Sequence, residues 1–572
     1  MKPEAARITR TWFLVVALLL TVLAGCSSTA KNYADSPQTD MGTPNATSSE
    51  TTTSREILRI QQAAYPLIID PQKSVRTNEG AVLGLNYEGL TRLDKDLKTV
   101  PAAAEAWEFN QDQTQVTFHL RDGLTYSDGS PLTAENFRYA IERTCDPNTA
   151  GGYQAILFDI AGCQEFATTI PTDTAGYDAA RAALGVRAPD ARTLVIQLTH
   201  PAPYFVTVAS LPVFYPAQED LIKKGGDNWW KDPANQVGNG PFQITRIDPD
   251  QRITFTTNDR YWAGKPKLAG IELITEGQSS VALQAYRAGQ LDIVGVDPSQ
   301  LPAIKDDPEL ANQVVSYPAA ETYGMDINLK QEPFQDRKIR EAFSEAIDRE
   351  TYCEQIRGGA CSPTLSWIPA GIPGAIQTEK YGFDPAAAKQ AIADSTYGSP
   401  DKVPEVKVSF ASDDPAAQPR AAWLAGQLQD VLGIKITLDP IEGKTLQAMT
   451  AENASHPQLA IYGGWAEDYP DPQNWLSINW KCDTAFARAR GYCNPDLDRI
   501  VDQADREIDP VKRLSLYEQA GRILVDDVPG PFAYNPVKTF LVKPSVTGYS
   551  TTPEDSAWPG ENASALTFDI SR

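Results

Sequence analysis

Val406-Lys407-Val408-Ser409-Phe410 reads as a strand, Ala421 to Leu432 as a helix, and Ile434-Lys435-Ile436-Thr437-Leu438 as a second strand. A strand and helix followed by a short return to strand form an α/β unit, the building block of a sheet covered by helices. The segments around it fit the same class. Arg337 to Ile347 places Ile339, Ala342, Phe343, Ala346 and Ile347 on one helical face. Asp498 to Asp505 and Lys512 to Leu524 read as further helices. Towards the N-terminus strands dominate. Glu56 to Ile60 opens the series, Gln115 to Leu120 alternates polar and apolar, and Thr193 to Leu198 follows. Phe242 to Ile247 and Arg252 to Thr256 read as an antiparallel pair around Asp248-Pro249-Asp250. Thr133 is placed to cap a helix that begins at Ala134. No internal repeat is visible.

The chain has 572 residues, more than one core accommodates, so two to four domains are expected. Hydrophobic residues make up 42% and charged residues 22%, the balance of a globular protein. A formal net charge of −23 repels phosphate backbones and argues against a nucleic-acid partner.

The first residues indicate export. Lys2, Arg7 and Arg10 form a positive head, and Trp12 to Leu20 with Val22 and Leu23 form an apolar segment short for a membrane span. The segment ends in Leu23-Ala24-Gly25-Cys26, which resembles a bacterial lipobox. In that reading residues 1–26 are a lipoprotein signal peptide, Cys26 carries the lipid, and the mature protein is extracytoplasmic and anchored to the cell membrane. Residues 27–54 are rich in Ser, Thr, Asn and Pro and are expected to be a disordered tether. Six cysteines remain, in three neighbouring couples: Cys145 with Cys163, Cys353 with Cys361, and Cys482 with Cys493. Disulfides persist in exported chains, and three local bridges are expected. No CxxC occurs and the histidines (His119, His200, His456) are scattered, so no metal or other cofactor is expected.

A second stretch raises a functional question. Gly463-Gly464-Trp465-Ala466-Glu467-Asp468-Tyr469-Pro470-Asp471-Pro472 follows the apolar run Leu459-Ala460-Ile461-Tyr462, read as a buried strand that ends at the glycines. It is either an ordinary acidic turn or a place where something cationic docks.

The stretch is one of seven motifs that together resemble the solute-binding proteins of peptide ABC importers, of the oligopeptide- and dipeptide-binding type. The others are Tyr87-Glu88-Gly89-Leu90-Thr91, Val116 to Gly123 with Tyr126-Ser127-Asp128-Gly129, Cys145 to Ala150, Val237 to Phe242, Tyr286 to Val294, and Asn328 to Arg349. Their order is that of the family. The resemblance implies a two-lobed periplasmic-binding-protein-like α/β fold of class II type with a hinge and a small inserted domain. One lobe would hold 55–78, 185–276 and 531–572, the inserted domain 79–184 and the second lobe 277–530. It implies a monomeric receptor, not an enzyme, that captures oligopeptides by hinge closure and hands them to ABC permease subunits.

It also implies site residues. Asp468 would pair with the ligand ammonium, with Trp465 and Tyr469 walling the site and Gly464 leaving room for a close backbone. Tyr65, Pro66 and Leu67 would lie along the ligand. Tyr153 would reach in from the small domain, and Tyr534 would touch ligand near the late crossover. Glu467 and Asp471 are read as a solvated turn. Two positions depart from the oligopeptide binders: Tyr462 stands where they carry an arginine, and Glu442-Gly443-Lys444 where they carry a tryptophan. Arg420 or Lys444 is then the candidate for a ligand carboxylate, and a sugar or metal chelate remains the alternative cargo. An exported hydrolase is the other alternative, against which stands the lack of GxSxG, HExxH or a spare cysteine.

Overall fold

The computed structural model of the protein describes residues 56–571. The proposed signal peptide, Cys26 and the tether lie outside the described residues. The strands read from sequence form, among others, one mixed sheet of twelve strands. Its path runs from Ile436–Ile441 through Val406–Ala411, Leu459–Ala466 and Glu321–Ile327 to Phe532–Val542. It continues through Ile293–Gly295, Ile57–Gln62, Gly270–Thr275 and Arg252–Thr257 to Phe242–Asp248.

The α/β unit appears as expected. Val406–Ala411 and Ile436–Ile441 pair in parallel, and Ala417–Leu432 crosses between them. Buried Ala421, Leu424, Leu428 and Leu432 pack that helix on Val406, Val408 and Phe410. Phe242–Asp248 and Arg252–Thr257 pair antiparallel. Thr133 caps Ala134–Cys145 in a reciprocal arrangement with Asn136.

Phe532–Val542 joins the two halves of the sheet. Residues 532–536 pair with Glu321–Ile327 and Cys361–Pro363, whereas residues 537–542 pair with Ile293–Gly295 and Val314–Pro318. Pro536, which has no N–H to donate, sits where the partners change. Separate buried cores lie on either side. One contains Leu58, Ile60, Leu273 and Trp558, and others contain Phe343, Leu424, Trp475 and Tyr517.

A further core belongs to a four-stranded antiparallel sheet of Ala104–Phe109, Gln115–Leu120, Thr193–Gln197 and Val186–Asp190. Two of its strands lie beyond residue 184, the expected end of the inserted domain. The domain's hydrophobic face needs them, because Val116, Phe118, Leu194 and Ile196 share one core. All three expected disulfides are present. Cys145–Cys163 ties the end of the capped helix to the start of the next and closes a loop within this domain.

The strand Leu459–Ala466 does not stop at its glycines. It continues through Trp465, with Gly464 opposite Tyr323 and Gly463 opposite Gly324. A Cβ on Gly464 would lie 2.5 Å from the Thr322 carbonyl oxygen and 2.6 Å from the Tyr323 ring, and one on Gly463 2.6 Å from the Asp326 carboxylate. The glycines therefore serve the close approach of the neighbouring strand of this same chain.

Candidate functional site

Asp468 follows the end of that strand, and its position is fixed from two sides. The backbone N–H of Glu467 donates to the Ala320 carbonyl at 3.0 Å. The N–H of Asp468 donates to Asn474 Oδ1 at 2.9 Å, and Asn474 Nδ2 donates to Asp468 Oδ2 at 2.9 Å. Asn474 is fully buried on the helix Pro472–Trp480 and also accepts from the Trp465 indole at 3.2 Å. Asp471 caps that helix and holds Arg513 at 2.6 and 2.8 Å. It is a helix cap in a largely buried ion pair, not part of a solvated turn.

The remaining oxygen of Asp468 accepts from the hydroxyl of Tyr153, which packs against the core of the four-stranded sheet. Burial raises the Asp468 carboxyl above its usual range, while the Asn474 and Tyr153 hydrogen bonds pull it down. A cation arriving here would favour the charged form that burial opposes.

Asp468 and Tyr153 line a cavity of about 280 Å³. A larger one of about 850 Å³ is lined by Gln61, Ala64, Arg357, Arg420, Tyr323 and Tyr534, among others. Arg76, Thr77, Glu321 and Ser556 line both, so the two are chambers of one cleft. In the larger chamber Tyr534 stacks on Tyr323 with centroids 5.4 Å apart, and the Arg357 guanidinium lies 5.2 Å from the Tyr534 ring centre. The Nε of Arg357 is buried without a hydrogen-bond partner among the described residues. Acids outnumber bases in the smaller chamber, where Glu88, Glu467, Asp468 and Glu554 face Arg76 and Arg92, whereas the larger chamber sets Arg357, Arg420 and Lys538 against Asp297 and Asp414.

Other expected residues fall elsewhere. Trp465 and Tyr469 are not among the residues lining either chamber. Trp465 braces Asn474, and Tyr469 is buried with its hydroxyl on Gln473. Gly464 faces Thr322 and Tyr323. Tyr65 packs against the core of the first half, and the chain borders the larger chamber slightly earlier, at residues 61–64, rather than at Tyr65, Pro66 and Leu67. Arg420 lines the larger chamber, and Lys444 is exposed away from it. The side chain of Tyr462 lies outside the described residues.

Glu467, read as solvated, is instead only 9% exposed. The Trp475 indole donates to its Oε2 at 2.8 Å, and its other oxygen faces Glu554. Asn474, Glu467, Glu554 and Arg357 are the site residues that sequence reasoning missed.

A cleft between two halves of a shared sheet, with a partly buried aspartate in one chamber and arginines in the other, is the geometry of a receptor for a small guest. The family model of the bacterial extracellular solute-binding proteins, family 5 Middle, matches residues 98–487. The chain belongs to this family of bacterial extracellular solute-binding proteins. Family 5 members are binding proteins rather than enzymes. Among curated relatives, the chain is 30% identical to the probable deoxycholate-binding periplasmic protein YgiS of Escherichia coli, over 89% of this chain and 93% of that one. It is 27% identical to the oligopeptide-binding protein OppA of Bacillus subtilis, over 82% and 86%. Among solved structures, Haemophilus influenzae OppA in complex with the peptide RPPGFSPFR matches with a TM-score of 0.72 at 26% identity, covering 91% of this chain and 99% of that one. The unliganded open form of the murein tripeptide-binding protein MppA matches with a TM-score of 0.74 at 26% identity, over 91% and 98%. The family 5 fold is thus two-lobed here, as expected. Among the described residues no helix is long and apolar enough to cross a membrane.

Proposed function

We propose that the protein captures short peptides by their free termini and delivers them to an ABC importer. The observation that carries this reading is Asp468, a burial-strained carboxylate braced by Asn474 and Tyr153 at one end of a cleft whose other chamber holds Arg357 and Arg420. A free peptide has an ammonium at one end and a carboxylate at the other, which fits that polarity. Deoxycholate, named for one relative, has a carboxylate and hydroxyls but no ammonium, and offers Asp468 no cation. Arg357 takes the carboxylate role that Lys444 does not, because it stands in the cleft with an unspent N–H.

Strand pairing supports lobe bounds shifted from the expected ones, with 55–78, 198–318 and 537–572 on one side and 319–536 on the other, because Ile293–Gly295 pairs with Ile57–Gln62 as well as with the late end of Phe532–Val542. The inserted domain takes in the strands at 186–197 that complete its sheet. Phe532–Val542 is the hinge strand, because its two ends pair with different lobes, and a guest held by both lobes stabilises the closed form. The receptor works as a monomer, tethered through lipid on Cys26.

Isothermal titration of trialanine, its N-acetylated form and its C-terminal amide tests the reading. Acetylation is expected to weaken binding at least about tenfold, the loss of one charged hydrogen bond. Arg357→Gln is expected to weaken trialanine and to leave the amide's affinity within about twofold. Equal binding of the acetylated and free peptides would overturn ammonium capture.

A further inference from the structure

Beside Asp468 the smaller chamber holds two more acids whose chemistry the capture of a single ammonium leaves unused. Glu467 Oε2 is occupied by the Trp475 indole, whereas Glu467 Oε1 and Glu554 Oε1 are both buried and have no partner among the described residues except the other carboxyl of the pair. The two carboxyls face each other, and neither makes an ion pair among the described residues. Other acids of this chamber are committed: Glu88 takes the Tyr261 hydroxyl and the Trp262 indole, and Glu321 holds Lys538 at 2.7 Å. Two carboxylates that face each other in a buried place repel, and their mutual hydrogen bond requires a proton between them. Burial first, then Asp468 and Asp471, raise the Glu467 carboxyl to about 8. Burial, Glu467, Asp468 and Asp555 hold the Glu554 carboxyl well above its usual range.

Resting on the peptide reading above, we infer that Glu467 and Glu554 form a second cation subsite, which selects peptides whose first residue has a cationic side chain. The α-ammonium sits on Asp468 and the side-chain cation between the two glutamates, all three lining one chamber. The incoming cation takes the place of the shared proton, which passes to solvent. An apolar first side chain leaves that proton in position and brings no charge to replace it.

Titration of lysyl-dialanine against norleucyl-dialanine tests the subsite, in two buffers of different ionisation enthalpy near neutral pH. The wild-type protein is expected to prefer the lysyl peptide at least about tenfold and to release up to about one proton with it, and none with the norleucyl peptide. In Glu467→Gln and in Glu554→Gln the preference is expected to fall below about threefold and the proton release to vanish. Each glutamine keeps the size of the side chain, and either variant alone suffices if the other does not fold. Thermal midpoints give a second readout. A carboxyl held high in the folded state costs stability as pH rises towards its folded value, so Glu467→Gln should melt above wild type near pH 8 and converge with it near pH 5. Equal wild-type affinity for the two peptides would overturn the subsite and leave ammonium capture standing. A preference that survives in both variants would overturn its assignment to this pair. Failure of both peptides to bind would overturn the peptide reading itself.

Discussion

Asp468→Asn is expected to weaken binding of a free tripeptide by about 100-fold or more, because removing one partner of a buried charge pair costs about 3–5 kcal/mol. The size of the effect comes from the surroundings. Asp468 is partly buried, burial already raises its carboxyl, and its two protein hydrogen bonds come from neutral donors. None of these compensates the ammonium that the guest would leave unpaired. Tyr153→Phe should cost less, about tenfold, since it removes one hydroxyl donor and leaves the charge. Calorimetry with trialanine separates the two. A change of less than about threefold in Asp468→Ala would show that the ammonium binds elsewhere. Asp468→Asn should not lower the melting midpoint and should raise it near neutral pH, because burial holds the carboxyl above its usual range and its main partners, Asn474 and Tyr153, are neutral.

Much of the scaffold was legible where the pattern is local. Gln115–Leu120 alternates as its burial does, Thr133 caps its helix, and the parallel pair at 406 and 436 follows from strand, helix and strand. What was missed depends on partners distant in sequence. Glycine is a poor strand former, so Leu459–Ala466 read as ending at Gly463. The strand Glu321–Ile327 presses so close that only glycine fits, and the pairing carries on. The sequence around Glu467 shows an acidic turn, and its burial is set by Trp475 and by Glu554 from the C-terminal segment. Asp468 was legible only through the resemblance. No local feature separates it from Asp471, which caps a helix and holds Arg513. The aromatic residues beside it read as walls and are braces, since hydrophobicity alone does not say which side of a strand end meets a cavity.

The largest stability effect is expected at Arg143, which no local motif marks. Its guanidinium forms two hydrogen bonds of 2.6 Å to Asp70, and it also donates to Gln72 at 2.7 Å. Asp70 is 0% exposed. Arg143 lies on the helix Ala134–Cys145, which packs on the four-stranded sheet, while Asp70 follows the first strand of the large sheet and also accepts from the Trp229 indole at 2.8 Å. The pair therefore fastens the core of the four-stranded sheet to the chain that follows the first strand of the large sheet. Arg143→Ala strands a carboxylate in the interior and is expected to cost about 3–5 kcal/mol in guanidinium unfolding. Asp70→Asn combined with Arg143→Met removes both charges and should recover more than half of that loss, because an apolar replacement of a buried pair is often close to neutral. The same loosening should reach the site, since Tyr153, packed against the same core, meets Asp468 across the cleft, and trialanine should bind Arg143→Ala about threefold or more weakly. A loss under about 1 kcal/mol would mean that water reaches Asp70 and that this core is held by its apolar contacts instead.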